Sequence, residues 1–175
     1  HVLSRDHEVF ISRYIDGSEQ EARANGYNLE INTFTMPDIP EIIAHIKDAS
    51  VEGLIVLATE LTSKDLELFE NIDVPMVCID AMFDFNKFDF VDMNNMEAVF
   101  QIINYFIKHH HQEIGLIRSP VDAGNLELRY IGFKRALKYF GIPYNHKYVF
   151  TIDSTFDGAY NDMLKFLKKG AKLPT

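Results

Sequence analysis

The chain has 175 residues, 47% apolar and 25% charged, with a formal net charge of −9, a soluble globular composition long enough for one ordinary domain or two small lobes. That acidity, with no cluster of Lys and Arg, excludes this stretch as a surface for nucleic-acid phosphates. No segment holds the roughly 18 apolar residues of a membrane helix, and the opening HVLSRDHEVF does not read as a signal peptide.

In chain order, a helix is predicted over 10 to 24, where Phe10, Ile11, Tyr14, Ile15, Ser18 and Ala22 share one stripe. Gly26 suits the left-handed position that ends it. The alternation in YNLEINTF predicts a short strand. DIPEIIAHIKDA follows as a helix, with Asp38 and Glu41 at capping-box spacing. GLIVLA (53 to 58) is an apolar strand. Thr62 and Asp65 repeat the box spacing before LELFEN. MVCI is the next strand, and FDFVDM a shorter one. Asn94 and Glu97 open a long helix to about Lys108. EIGLI (113 to 117) is a strand, 126 to 140 a helix closed by Gly141 and Pro143, and KYVFTI a strand. Ser154 and Asp157 cap a last helix that ends near Gly170. Lysines 165, 168, 169 and 172 read as its solvated face. Apolar strands alternating with helices predict α/β architecture, with parallel sheets covered on both faces. Both ends read as cut, because a helix comes first and KLPT leads into a strand that does not follow.

The chemistry-bearing motifs are few. The chain has no G-x-G-x-x-G, no Walker loop and no G-x-S-x-G elbow. His109, His110 and His111 are adjacent, so they do not converge as a chelate, and no metal or cofactor is expected. The single cysteine, Cys78, sits in an apolar run and reads as core, which fits a reducing compartment. The polar groups gather instead behind the strands: Thr59 and Glu60 after GLIVLA, Asp80 after MVCI, RSPVDAGNLELR after GLI, and Asp153 and Ser154 after YVFTI. In open parallel sheets ligands bind at those carboxyl ends, so a polar small-molecule site is expected there. Asn94, Asn125 and Ser154 also read as helix caps. Arg129 lies in the apolar stretch LRYIGF and needs an anion or several acceptors, either a ligand or an internal ion pair.

The stretches FISRYIDGSEQEARANGYNL, VEGLIVLATE, VPMVCID, VDMNN, HHQEIGLI and RYIGFKRALKYFGI together resemble, in order and spacing, the effector-binding domain of the LacI/GalR family of bacterial transcription regulators. Periplasmic sugar-binding proteins share that fold. The resemblance implies a two-lobed, type I periplasmic-binding-protein-like fold, with an N-terminal lobe over 1–93, its first strand missing, and part of a C-terminal lobe over 94–175. It implies a pocket between the lobes. Phe10 and Ile11 match the apolar pair that packs on the ligand, Thr59 the polar residue after the second apolar strand, and Asp80 the acid after VP and its strand. Asn125 matches the polar position ahead of the helix, Arg129 the arginine that grips the effector, and Ser154 a position where some members carry an aromatic. The chain departs from the family at Asn94-Asn95, where an Asp-Asn pair is common, and at Ala98 and Val99, where a glycine often stands. The family's helix-turn-helix would precede His1, and an acidic effector contact would follow Thr175.

The expected function is the effector-sensing core of a cytoplasmic, homodimeric DNA-binding regulator. It would bind a sugar or sugar derivative and reach operator DNA through a helix-turn-helix absent from this chain, with no membrane partner. The alternative is the extracytoplasmic sugar-binding protein of an ABC transporter. An enzyme of the doubly wound class has no catalytic motif in its favour.

Overall fold

In the computed structural model the described residues are 5–33, 39–48, 50–59, 61–81, 88–121 and 123–174. The chain forms two compact units, 1–50 and 51–175.

The first unit holds helices α1 (Arg5–Ala24) and α2 (Ile39–Asp48). The α1 stripe is visible at Ile11, Tyr14, Ile15, Ser18 and Ala22, which are half-buried while Arg13 and Asp16 are exposed. At its end Gly26 has φ 81°. The Gly26 and Tyr27 amides donate back to Arg23 and Ala22, satisfying two of the last free carbonyls. The predicted strand YNLEINTF is not a strand over 27–33. Alternation marks a segment that could pair, but a strand needs a neighbour to complete its ladder, and residues 27–33 have none among the described residues. Phe34 and the proposed cap Asp38 lie outside the described residues.

The second unit runs β1 (Leu54–Leu57), α3 (Ser63–Glu67), β2 (Met76–Ile79), β3 (Asp89–Val91), α4 (Asn95–Lys108), β4 (Leu116–Arg118), α5 (Gly124–Tyr139), β5 (Val149–Thr151) and α6 (Phe156–Lys168). Among the described residues two separate sheets form, β1-β2-β3 and β4-β5, with every pairing parallel. Their positions follow the apolar runs, except that β4 starts at Leu116 rather than residue 113. Met76 and Cys78 of the central strand are buried, and Val77 and Ile79 are half-buried. Ile55 of β1 and Ile117 of β4 are more than half exposed. Cover is therefore uneven, where cover on both faces was expected. Burial pushes the Cys78 thiol up to about 11, so it stays a neutral core group.

The best-packed region joins α4, α5 and the second sheet. Ile103, Ile114, Phe133, Ala136 and Leu137 form its buried centre, with Val99, Phe100, Phe140 and Val149 packed around it. Fully burying side chains of the larger kind stabilises by about 1.5–3 kcal/mol each. The helix ends are local in origin. Asn94 caps α4 by accepting from the Glu97 amide at 3.2 Å, as its spacing predicts. At the other end of α4, His110 takes φ 66° where glycine is usual. His109 packs at a tilt against Tyr105 and His111 meets the edge of Phe106. Lys165 and Lys168 lie on α6, whereas Lys172 lies beyond it and pairs with Glu113 at 2.8 Å. The expectation of one lysine face is corrected there.

Candidate functional site

The carboxyl edge of the three-stranded sheet delivers Thr59, Asp80 and Asp92, one or two residues past β1, β2 and β3. In-register parallel pairing brings these strand ends together, and the Ala58 amide still donates to Ile79 O and the Asp80 amide to Val91 O. Asp80 is 5% exposed. A carboxylate that buried needs donors, and it has two: Thr59 Oγ1 donates at 2.7 Å and Asn125 Nδ2 at 3.1 Å, both to Oδ2. Its backbone sits at φ 61°. That left-handed conformation is strained for a side chain, though Asp is among the residues that adopt it. The neighbouring hydrogen bonds hold it there.

Asn125 comes from the first turn of α5 and is also 5% exposed. Its amide must turn Nδ2 toward the carboxylate, which leaves Oδ1 as an acceptor. That Oδ1 is buried with no hydrogen-bond partner among the described residues. Such a group costs about 1–3 kcal/mol, a penalty that a ligand donor would relieve. Asn125 is not a cap, which corrects that reading: Ala123 occupies the cap position, without a side-chain bond.

One turn further along α5, half-buried Arg129 faces α4. Its Nε donates to Asn95 Oδ1 at 2.8 Å. Asn95 is 2% exposed, and its Nδ2 donates to Met93 O at 3.0 Å and lies 3.4 Å from both carboxylate oxygens of Asp92. Arg129 forms no ion pair among the described residues. Its Nη donors have no partner among the described residues.

The remaining predicted residues divide. Ser154 is exposed and shares a 2.5 Å hydrogen bond with Ser119 at the carboxyl edge of the second sheet. It is not the cap of α6. Thr155 is, accepting from the Gly158 amide at 3.1 Å. Ile11 is half-buried on α1, within the first unit. Phe10 falls in α1, but its side chain lies outside the described residues, as does Glu60. Asn95 was noticed in the sequence only as half of a pair. One signal was available: Asn inside a helix's first turns is a poor helix former, so another use is implied.

Among the described residues no group of three or more His, Cys, Asp and Glu could hold a metal ion. No helix among them is long and apolar enough to cross a membrane. What the site offers is an acceptor (Asn125 Oδ1), a carboxylate (Asp80) and a guanidinium (Arg129), the set that recognises hydroxyls, carbonyls or anions.

Comparison with known proteins points the same way. The family model described as periplasmic binding proteins and sugar binding domain of the LacI family matches residues 1–175. The HTH-type transcriptional repressor PurR of Actinobacillus pleuropneumoniae serotype 5b is 24% identical over 176 residues, covering 99% of this chain and 52% of that protein. The chain thus spans about half the length of the curated relatives it matches. A transcription regulator from Lactobacillus plantarum superposes with a TM-score of 0.75 at 27% identity, over 90% of this chain and 58% of that one. A sugar-binding LacI-family transcriptional regulator from Escherichia coli, solved with phosphate, gives 0.79 at 19% identity over 94% and 62%. That last likeness speaks to the fold alone.

Proposed function

Because the chain belongs to the family of periplasmic binding proteins and LacI-type sugar-binding domains, we propose that it is the effector-sensing core of a cytoplasmic transcriptional regulator. The effector is a small polar metabolite, a sugar or sugar derivative. It binds where Thr59, Asp80 and Asn125 meet, with Arg129 one turn along α5. In this reading the lobes are 1–93 and 94–175, so Asp80 and Arg129 stand on opposite sides of the cleft. Phe10, Ile11 and Ser154 join the site by resemblance only. The whole protein would be a homodimer carrying a separate helix-turn-helix.

The observation that carries the proposal is the buried Asp80–Asn125 pair with its unpartnered acceptor, one turn of α5 before an arginine whose Nη donors are unused among the described residues. A hydroxylated ligand donates to Asp80 and Asn125 and accepts from Arg129. It therefore favours whichever lobe arrangement lets it do both at once. That differential contact is the source of a population shift and of coupling to DNA.

A thermal-shift screen of the intact protein against sugars, sugar phosphates and nucleobases tests the reading. A hit that raises the melting temperature in the parent but not in Arg129→Ala is expected; no hit of any class counts against it. The 175-residue chain by itself is expected not to shift an operator-like duplex at moderate salt, given its charge of −9. Sequence-selective retardation would contradict that division of labour. The family model also covers periplasmic binding proteins, so transporter capture of a sugar is the second reading. The residues ahead of His1 in the intact protein decide between them: a helix-turn-helix for the regulator, a signal peptide for the transporter component.

A further inference from the structure

We infer that Asn95 is a positioning residue for Arg129 and sets which face of the guanidinium an effector can use. The inference rests on the effector reading above and adds to it a residue and a geometry. Asn95 is buried in the first turn of α4, next to the cap, where a helix gains nothing from an asparagine. Its amide is oriented without ambiguity. Nδ2 faces the Asp92 carboxylate and the Met93 carbonyl, so Oδ1 has to face Arg129. The backbone amide of Asn95 also donates to Met93 O, at 2.7 Å. The side chain is thus braced through both its ends.

The consequence lies in which donors remain. A guanidinium presents a side-on pair, Nε with one Nη, and an end-on pair, the two Nη groups. Asn95 occupies Nε, at 2.8 Å. The side-on pair is therefore taken, and among the described residues the end-on pair is open. Held by one bond, the fork cannot swing freely about its stem, so less rotamer entropy is lost when a ligand arrives. The open pair suits a group with two acceptor oxygens side by side, a carboxylate or a phosphate, or two oxygens on neighbouring ring positions.

Inorganic phosphate is the probe, and the Nε–H resonance of Arg129 in a nitrogen–proton correlation spectrum is the readout. The resonance is identified by its loss in Arg129→Lys. In the parent it is expected to exchange slowly with water and to shift as phosphate is added. In Asn95→Leu, slow exchange is lost and the phosphate dissociation constant rises about tenfold. Asn95→Ser, too short to reach Arg129, carries the same expectation should the leucine variant fail to fold. In Asn95→Asp the new oxygen faces the Asp92 carboxylate and the Met93 carbonyl, so the melting temperature is expected to fall, while the oxygen facing Arg129 keeps the Nε–H protected. A purely structural asparagine would lose stability in both the leucine and the aspartate variant with no difference between them at the Nε–H. A parent resonance that ignores phosphate overturns the inference, because the fork is then not open to an anion. If Arg129→Ala abolishes phosphate binding and Asn95→Leu leaves it unchanged, the positioning role falls and the effector site stands. If Arg129→Ala leaves binding intact, the site assignment itself falls.

Discussion

Replacing Arg129 with alanine is expected to weaken effector binding roughly 10- to 100-fold and to lower the melting temperature of the free protein only slightly. The first half follows from the energy of a hydrogen bond to a charged group, about 1.5–3 kcal/mol, at about 1.4 kcal/mol per tenfold in affinity. The second follows from surroundings. Arg129 is half-buried and spends one donor on Asn95, with no ion pair among the described residues. Its removal leaves no buried carboxylate stranded, and the one acceptor it frees, Asn95 Oδ1, costs at the low end of about 1–3 kcal/mol, because water can enter the space a half-buried side chain leaves. Asp80→Ala is expected to weaken binding comparably but to lower stability further. It strips the acceptor from Thr59 and Asn125 and leaves the buried Asn125 amide without its partner there, at about 1–3 kcal/mol. Alanine is also no better suited to φ 61°. Calorimetry with the ligand found by screening, beside thermal melts of both variants, separates the two patterns. Parent-like binding by Arg129→Ala removes it from the site. A large loss of stability in that variant makes it a structural residue.

How much of this was legible in the sequence depends on how far each feature reaches. Helix ends are local. Gly26, Gly141 and Gly170 all take positive φ where the sequence places helix ends, and Asn94 caps α4 at the spacing its Glu97 announces. The apolar runs locate four of the five described strands, because burial of a sheet interior is written in consecutive residues; β3 lies in the polar-interrupted FDFVDM, with Asp89 and Val91 exposed. Features that depend on a distant partner are less legible. YNLEINTF alternates like a strand, yet 27–33 lacks a partner among the described residues. Asn125 looks like a cap because Asn, Ser and Asp are interchangeable there on propensity. Only the folded chain shows its amide spent on Asp80, 45 positions earlier. Ser154 and Thr155 are adjacent hydroxyls, and the choice between them turns on Ser119, a residue 35 positions away from Ser154. The polar character of the site was readable from the strand ends. The brace behind Arg129 was not, because it joins α4 to α5 across 34 residues.

The contact between those two helices fixes the site's shape, and Gly132 is where it is most sensitive. A Cβ at Gly132 would lie 3.0 Å from Met96 Cα and 3.1 Å from Met96 O. Both are backbone atoms, which cannot rotate aside as a side chain would. Gly132→Ala gains about 1 kcal/mol of helix propensity in α5 and loses it again by forcing α4 outward by a few tenths of an ångström. Its net effect is expected to be small and destabilising. Gly132→Val adds two methyl groups in the same place and is expected to destabilise by about 1–3 kcal/mol, the usual range for overpacking. Melts of the variant should fall by several degrees, taking about 2–4 °C per kcal/mol for a chain of this length. The same wedge bears on function. Met96 follows Asn95 on α4, and Arg129 lies one turn before Gly132 on α5. Spreading the helices there lengthens the 2.8 Å bond from Arg129 Nε to Asn95. Gly132→Val should therefore weaken effector binding even at temperatures where it is fully folded, although it touches no ligand. An unchanged melting temperature would show that α4 and α5 do not pack this closely. Lowered stability with parent-like affinity would show that the Arg129–Asn95 contact tolerates the spread.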